Sequence, residues 1–290
     1  MTVCWLNGQI VPREKATVSI FDHGVLYGDG VFEGIRFYNN RVFRLESHLQ
    51  RLHDSAVALA LAMPFSLEQL TTAITDVIKA FHLADGYIRL VITRGEGRLG
   101  INPFNCSTPT VFIIADELAL VDESKKAEGA KLIVASTRRI PSSSLEPRIK
   151  SLNYLNNIQA LMEAKYANAD EAIMLNHEGK IAEGSADNVF IVKNNIVKTP
   201  PTIDGALEGI TRGVVIDVAR ELGMTMLECS LTPYDVYTAD ECFLTGTGME
   251  LLPVREIDGR SIAHCPGEIY KKIYQGFCDV INRETSSLIC

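Results

Sequence analysis

The chain has 290 residues and 47% of them are hydrophobic, so it can bury the core of one large domain or two moderate ones. Its net charge of −8 argues against a nucleic-acid-binding protein, which normally presents a basic face. The longest apolar run, Ala56 to Met63, is too short to span a bilayer, and the N-terminus does not resemble a signal peptide. We therefore expect no membrane segment, no nucleic-acid partner and a cytoplasmic location.

Cysteine usage agrees with a cytosolic protein. Seven cysteines are present, and they are widely spaced without any Cys-x-x-Cys pair. This pattern favours reduced thiols over a disulfide framework or a zinc site, so we expect no metal. The sequence also lacks a dinucleotide fingerprint, a Walker loop, a His-Glu-x-x-His motif and a Gly-x-Ser-x-Gly elbow.

The first half of the chain predicts short strands joined by turns, with two helices among them. Asn7-Gly8 is a hairpin signal, and the glycine-rich stretch from Asp22 to Gly34 predicts a bent loop. Strands are predicted over residues 3–6, 9–11, 17–21, 35–38, 41–44, 87–93 and 110–115, and helices from 46 to a stop at Pro64 and from 67 to 81.

The second half predicts a strand, a junction at Lys150, a helix to about residue 168 and then a run of hairpins. A later helix begins at Ile210, with Thr211 as its cap and Gly223 at its end. Further strands are predicted over residues 131–140, 172–175, 180–182, 189–192, 196–198 and 241–245, with a final helix over 266–282. The pattern indicates a mixed α/β protein with domains at 1–118 and 131–290 and a linker at 119–130.

Four features of the second half together indicate pyridoxal phosphate chemistry. Lys150 offers an amine nucleophile, and Glu183 offers a carboxylate for a pyridine nitrogen. Turns at 209–211 and 246–248 offer backbone donors for a phosphate. An ordinary surface lysine is the alternative interpretation of Lys150, and spacing alone does not decide between the two.

Arginines stand out in this acidic chain. Arg89, Arg94 and Arg98 fall within ten residues, and Arg89 shares a strand face with Tyr87. Arginine is suited to two-point binding of carboxylates. A solvated strand arginine remains the alternative for Arg89.

Several motifs, in order along the chain, carry a family resemblance. They are Asp22-His23-Gly24, Val31-Phe32-Glu33-Gly34, Lys150-Ser151-Leu152-Asn153-Tyr154, Glu183-Gly184, Leu207-Glu208-Gly209-Ile210-Thr211-Arg212 and Gly246-Thr247. Together they resemble the class IV, or fold-type IV, aminotransferases. The resemblance implies an α+β protein with a small N-terminal α/β domain, a larger pseudo-barrel domain, and pyridoxal 5'-phosphate between them.

The resemblance also implies roles for individual residues. Lys150 is expected to form the Schiff base and to move protons, with Glu183 at the pyridine nitrogen and Tyr154 near the ring oxygen. The expected phosphate ligands are Arg51, Gly209, Ile210, Thr211, Gly246 and Thr247. The expected substrate contacts are Tyr27, Phe32, Tyr87, Arg89, Arg98, Thr247 and Gly248. Family members are homodimers or dimers of dimers, in which a neighbouring subunit's loop completes the pocket.

Within the family, the motifs most resemble branched-chain aminotransferases. Tyr87-Ile88-Arg89 and Gly246-Thr247-Gly248 carry this likeness, although Leu90 replaces the usual proline after Tyr-x-Arg. Arg98-Leu99-Gly100 lacks the histidine that D-amino-acid aminotransferases place two residues from the arginine. The expected reaction moves an amino group between branched-chain L-amino acids and 2-oxoglutarate. D-amino-acid or R-amine transaminases and aminodeoxychorismate lyases remain alternatives.

Overall fold

A computed structural model describes residues 2–117 and 123–286. Its contacts divide the chain into two compact units, one of Met1–Leu118, Ile149–Asn153 and Ile281–Cys290 and one of Ala119–Arg148 and Tyr154–Val280. The predicted mixed α/β class is confirmed, since each unit carries a sheet with helices. The domain boundaries stay a prediction, and residues 119–122 of the expected linker lie outside the described residues.

The first unit contains one antiparallel sheet with helices on one face. Its strands run in the order β2-β1-β6-β5-β3-β4. The elements are β1 (Val3–Leu6), β2 (Gln9–Val11), α1 (His23–Tyr27), β3 (Gly30–Tyr38), β4 (Arg41–Val42), α2 (Leu45–Ala58), α3 (Leu67–Ala80), β5 (Gly86–Thr93) and β6 (Thr110–Asp116). The hairpin predicted about Asn7-Gly8 is therefore confirmed, and β3 and β4 form a second hairpin about Asn39-Asn40.

The alternation of β5 places its side chains on two different faces of the sheet. Ile88, Leu90 and Ile92 enter the core with the apolar faces of α2 and α3. Tyr87 and Arg89 occupy the alternate positions, and Arg89 Nη2 donates a hydrogen bond to Tyr87 Oη over 3.0 Å. The prediction that these two side chains share a face is confirmed.

Three local predictions in the first unit are wrong. Residues 17–21 form no strand, because the chain there runs into α1, whose N-cap is the buried Asp22. The predicted bent loop of 22–34 instead contains α1 and the first residues of β3. In addition, α2 ends at Ala58 rather than at Pro64. Just after this end, Arg94 donates to the carbonyls of Leu59 and Ala60.

The second unit contains one mixed sheet. Its strands run in the order β12-β11-β10-β13-β14-β7-β8-β9, and β15 pairs with β14. The elements are α4 (Glu123–Glu128), β7 (Ala130–Val134), α5 (Leu155–Tyr166), β8 (Glu171–Leu175), β9 (Ile181–Gly184), β10 (Asn188–Lys193), β11 (Ile196–Thr199), α6 (Ile210–Glu221), β12 (Thr225–Glu228), α7 (Pro233–Tyr237), β13 (Glu241–Gly246), β14 (Glu250–Ile257), β15 (Arg260–Ser261) and α8 (Glu268–Thr285).

Strand β8 is buried on both faces, which explains its continuous apolar sequence. Ile173 and Leu175 enter the main core of the unit. Ala172 and Met174 pack on the other face with small residues of α5. This double burial fixes the neighbouring strand β9, which carries Glu183.

The remaining general findings concern thiols and membranes. The six cysteines within residues 2–117 and 123–286 carry free thiols, whereas Cys290 lies outside these ranges. In the same ranges, no helix combines the length and the apolar character needed to cross a membrane.

Candidate active-site residues

Lys150 belongs to a short segment that is held by the first unit. Its backbone N–H donates to Ser55 Oγ of α2 over 3.1 Å, and its carbonyl accepts from Phe32 N of β3 over 3.0 Å. Next to it, Ser151 forms a bridge with Val31. Contacts to a helix and a strand that lie far away in sequence therefore fix the lysine backbone.

The ring of Phe32 contacts two cationic side chains. Lys150 Nζ and Arg89 Cζ each lie 4.5 Å from the centroid of this ring. A cation over an aromatic face is attracted by the ring quadrupole. The structure thus brings together three of the predicted site residues, and their charge suits a ligand that carries carboxylates.

A buried ionic cluster lies between β3 and α2. Arg51 donates to Glu33 through Nε and Nη2, each over 2.7 Å. His48 Nδ1 lies 2.7 Å from Glu33 Oε2 and must be the donor, because an ionised carboxylate only accepts. Burial opposes ionisation of Glu33, but Arg51 and His48 outweigh burial and lower the pKa of Glu33 to about 2. Burial lowers the pKa of His48 despite its bond to Glu33.

Helix α1 holds the loop of residues 94–100, which contains Arg98. Tyr27 Oη accepts from Gly100 N over 2.8 Å, and His23 Nε2 lies 3.0 Å from the carbonyl of Arg98. Asn153, three residues after Lys150, donates to the carbonyl of Gly28 over 2.9 Å. These contacts join the loop and the lysine segment to the two ends of α1.

In the second unit, Glu183 is a buried carboxylate with fixed partners. Its Oε1 lies 2.8 Å from Arg139 Nε, and its Oε2 accepts from Leu207 N over 2.8 Å. The carbonyl of Leu207 accepts in turn from Asn188 Nδ2 over 3.0 Å. The backbone of residue 207 therefore connects Glu183 with the start of α6.

The N-terminus of α6 is open to an anion. Its N-cap is Gly209, and no side chain caps the helix, so the prediction that Thr211 caps it is wrong. Thr211 lies inside the first turn, since the helix begins at Ile210. Gly209 packs so closely against Asn188 Oδ1 that a Cβ on it would collide with that atom. Uncapped first-turn N–H groups favour a phosphate, which fits the expected cofactor.

The end of β13 offers a second glycine turn. Gly246 pairs with Glu250 across a tight turn that contains Thr247 and Gly248, and a Cβ on Gly246 would meet the Asp187 carboxylate. The preceding residue, Thr245, is 1% exposed, and its hydroxyl has no hydrogen-bond partner among the described residues.

These features also fit the expected cofactor. A backbone cradle without Cβ atoms and an unsatisfied buried hydroxyl are suited to a polar group such as a phosphate. Tyr154 occupies the N-cap position of α5.

Sequence reasoning missed three residues of these clusters. Arg139, Glu33 and His48 carried no assigned role, although Glu33 lies inside a quoted motif. A usable signal existed for His48 and Arg51, because residues three apart on α2 face the same side. No local signal marks Arg139, because its partner Glu183 lies far along the chain on β9.

Comparison with known proteins shows the family of this chain. The family described as amino-transferase class IV matches residues 30–257. A protein of Methanocaldococcus jannaschii is 48% identical over 278 residues, which cover 95% of each chain.

Solved structures show the same fold. A branched-chain aminotransferase of Thermoproteus uzoniensis with norvaline is 38% identical, with a TM-score of 0.91 over 98% of this chain and 96% of the other. A branched-chain amino acid aminotransferase of T.th. complexed with N-(5'-phosphopyridoxyl)-L-glutamate is 35% identical, with a TM-score of 0.92 over 97% and 94%. The fold-type IV architecture that the motifs implied is confirmed.

Proposed function

Because the chain belongs to the class IV aminotransferase family, we propose that it is a pyridoxal phosphate-dependent branched-chain amino acid aminotransferase. The similar structures with norvaline and with a phosphopyridoxyl-glutamate adduct support both an aliphatic and an acidic substrate. In this proposal the amino group passes between branched-chain L-amino acids and 2-oxoglutarate.

Bound pyridoxal phosphate supplies an aldehyde for amines and a ring that withdraws electrons. Lys150 provides the amine that holds the aldehyde carbon and, once released, the base that moves a proton at the substrate Cα. The carboxylate of Glu183 keeps a proton on the ring nitrogen, because an anion stabilises an adjacent cation.

Phosphate binding is assigned to three elements. The N-terminus of α6, which no side chain caps, would offer the N–H groups of Ile210 and Thr211 to the phosphate. The Gly246-Thr247 turn adds donors, and Arg51 adds a positive charge whose guanidinium Glu33 orients. Tyr154 is assigned to the ring oxygen.

The observation that carries the substrate assignment is the shared contact of Phe32. Its ring touches both the Lys150 amine and the Arg89 guanidinium. In this assignment, the aliphatic chain of leucine contacts the apolar surface of Phe32 and Tyr87, while the second carboxylate of glutamate contacts Arg89. Tyr27, Arg98 and Gly248 complete the proposed substrate contacts.

Exposed apolar residues support the proposal of a homo-oligomer, either a dimer or a dimer of dimers. One group comes from residues 20–27 and 99–104 of the first unit and includes Ile20, Phe21, Val25, Leu99, Ile101 and Phe104. Another follows one face of α5 and comprises Leu155, Ile158, Met162 and Tyr166. Such contiguous apolar surface normally marks a protein interface. Light scattering of the purified chain tests this proposal.

The cytoplasmic location stays a prediction from cysteine usage.

A parallel assay tests the function. Turnover of L-leucine and D-alanine is coupled to 2-oxoglutarate, and pyruvate release is followed from aminodeoxychorismate. We expect L-leucine to react and the other two to be inactive. Pyruvate release from aminodeoxychorismate as the main activity would replace the transaminase by a lyase. Borohydride reduction and peptide mapping should place the pyridoxyl group on Lys150, and Lys150→Ala should not retain it.

A further inference from the structure

Arg139 is the cation that pairs with the proposed ring-nitrogen carboxylate. Its Nε lies 2.8 Å from Glu183 Oε1, and only 11% of the arginine and 6% of the glutamate side chain is exposed. Leu207 N occupies the other oxygen. The ion pair with Arg139 and the hydrogen bond from Leu207 N hold one oxygen of the carboxylate each.

The turn that carries Arg139 is itself held firmly. Glu163 of α5 accepts hydrogen bonds from the backbone and hydroxyl groups of Ser136 and Thr137. Burial of Glu163 opposes its ionisation, but these bonds outweigh burial and lower its pKa to about 2. Arg139 N donates to the Leu175 carbonyl over 2.8 Å. The guanidinium is therefore presented to Glu183 from a backbone that is fixed on two sides.

Neutral oxygens complete the surroundings of the guanidinium. Arg139 donates to the Gly205 carbonyl and to the side-chain oxygens of Asn156 and Asn157, each over 3.3 Å. Within residues 2–117 and 123–286, Glu183 is the one carboxylate that is ion-paired with Arg139. Removal of this guanidinium would break an ion pair with a buried anion, which is unfavourable.

We propose that Arg139 is a positioning residue that keeps the Glu183 carboxylate ionised and aimed before the cofactor binds, so that the ring nitrogen meets a preformed acceptor. This inference rests on the proposed function, which assigns Glu183 to the ring nitrogen. In the competing explanation, Arg139 only holds its turn in place, and the interaction at the ring nitrogen does not depend on it.

The test compares pyridoxal phosphate with its 1-deaza analogue, in which C–H replaces the ring nitrogen. Fluorescence titration of the full-length apoenzyme gives the two dissociation constants. The dissociation constant of the 1-deaza analogue divided by that of pyridoxal phosphate measures the interaction at the ring nitrogen. We expect Arg139→Gln to reduce this ratio about tenfold or more, because a charge-assisted contact supports it. Arg139→Lys retains the charge without the planar fork and should recover part of the ratio.

Arg138→Gln is the matched control, because the neighbouring Arg138 is exposed and donates to the carbonyls of Ala135 and Ser136. It should leave the ratio unchanged. Equal weakening of both cofactors by Arg139→Gln would overturn the proposal in favour of the turn-holding role. A rise in the ratio would overturn it too, because Arg139 would then compete with the ring for Glu183.

Glu183→Gln separates this inference from the proposed function. If this variant keeps the wild-type ratio, the assignment of Glu183 to the ring nitrogen fails. If Glu183→Gln brings the ratio close to one while Arg139→Gln leaves the ratio unchanged, only the role of Arg139 fails. Circular dichroism and thermal unfolding check that each variant folds, and Arg139→Lys carries the comparison if Arg139→Gln does not fold.

Discussion

Arg51 and Glu33 are joined at two points, since Nε donates to Oε1 and Nη2 donates to Oε2, each over 2.7 Å. The carboxylate is inaccessible to solvent. A two-point contact of this kind fixes the plane of the guanidinium as well as its position. Glu33 therefore fixes the orientation of Arg51, the proposed phosphate ligand.

Replacement of Glu33 by glutamine should destabilise the protein strongly. The change leaves Arg51 without its anion in a largely buried place, which typically costs about 3–5 kcal/mol. Urea unfolding of the apoenzyme measures this loss. Asp76→Asn is the control, because the pair of Asp76 with Lys79 is exposed and such pairs contribute about 0.2–1 kcal/mol. A loss no larger than that of the control would contradict the buried role of Glu33.

The same carboxylate should make stability depend on acid. Its pKa falls from an ordinary 4.5 to about 2 in the folded protein, so the folded state binds this proton less tightly than the unfolded state. Its contribution is complete above about pH 4.5 and is lost as the pH falls through about 2. The difference in unfolding free energy between wild type and Glu33→Gln should thus shrink over this range. A difference that is independent of pH would show that the carboxylate does not titrate as described.

Local patterns were sufficient for most helices and strands but not for their ends. The alternation of apolar residues in β5 and their helical spacing in α3 can each be read from consecutive residues, so both elements are predictable from the sequence. Residues 17–21 have strand-like composition, yet Ile20 and Phe21 remain exposed and the chain turns at Asp22. The missing partner strand is a tertiary property, which composition does not report.

The candidate site divides in the same way. Lys150 and Glu183 stand in motifs that can be read along the chain. Arg139 and Glu33 acquire meaning only through partners on other elements, Glu183 and Arg51 respectively. Such pairs depend on packing between distant segments of the chain, so a single sequence read by itself does not reveal them.

Gly34→Ala should disturb Tyr87. The two residues lie on neighbouring strands, and a Cβ on Gly34 would collide with the Tyr87 hydroxyl. Overpacking of this kind costs about 1–3 kcal/mol and would move the ring that Arg89 contacts. Steady-state kinetics with L-leucine should show a lower kcat/KM.

A double-mutant cycle identifies the cause. In a Tyr87→Ala background, Gly34→Ala should have little further effect, because the colliding group is absent. Gly213→Ala on α6 is the matched control, since its Cβ would meet open space. If the effects of Gly34→Ala and Tyr87→Ala on kcat/KM simply add, the proposed collision is not the cause.

Arg89→Leu tests how one pocket accepts two kinds of substrate. The guanidinium is held by the Tyr87 hydroxyl at 3.0 Å and by the Phe32 ring at 4.5 Å, so it is already oriented before substrate arrives. A charged hydrogen bond contributes about 1.5–3 kcal/mol, which corresponds to roughly 10- to 150-fold in kcat/KM. Arg89→Leu should therefore weaken glutamate and 2-oxoglutarate by an amount in that range and leave leucine nearly unchanged. Arg41→Leu, at an exposed position on β4, should affect neither substrate.

The pattern of loss then assigns the role of Arg89. An unchanged kcat/KM for both leucine and glutamate would mean that Arg89 only packs against Phe32 and Tyr87. An equal loss for leucine and glutamate would place Arg89 at the α-carboxylate, which both substrates share. Selective loss for glutamate, with partial recovery in Arg89→Lys, is the outcome expected if the guanidinium binds the second carboxylate, because lysine retains the charge but not the two-point geometry.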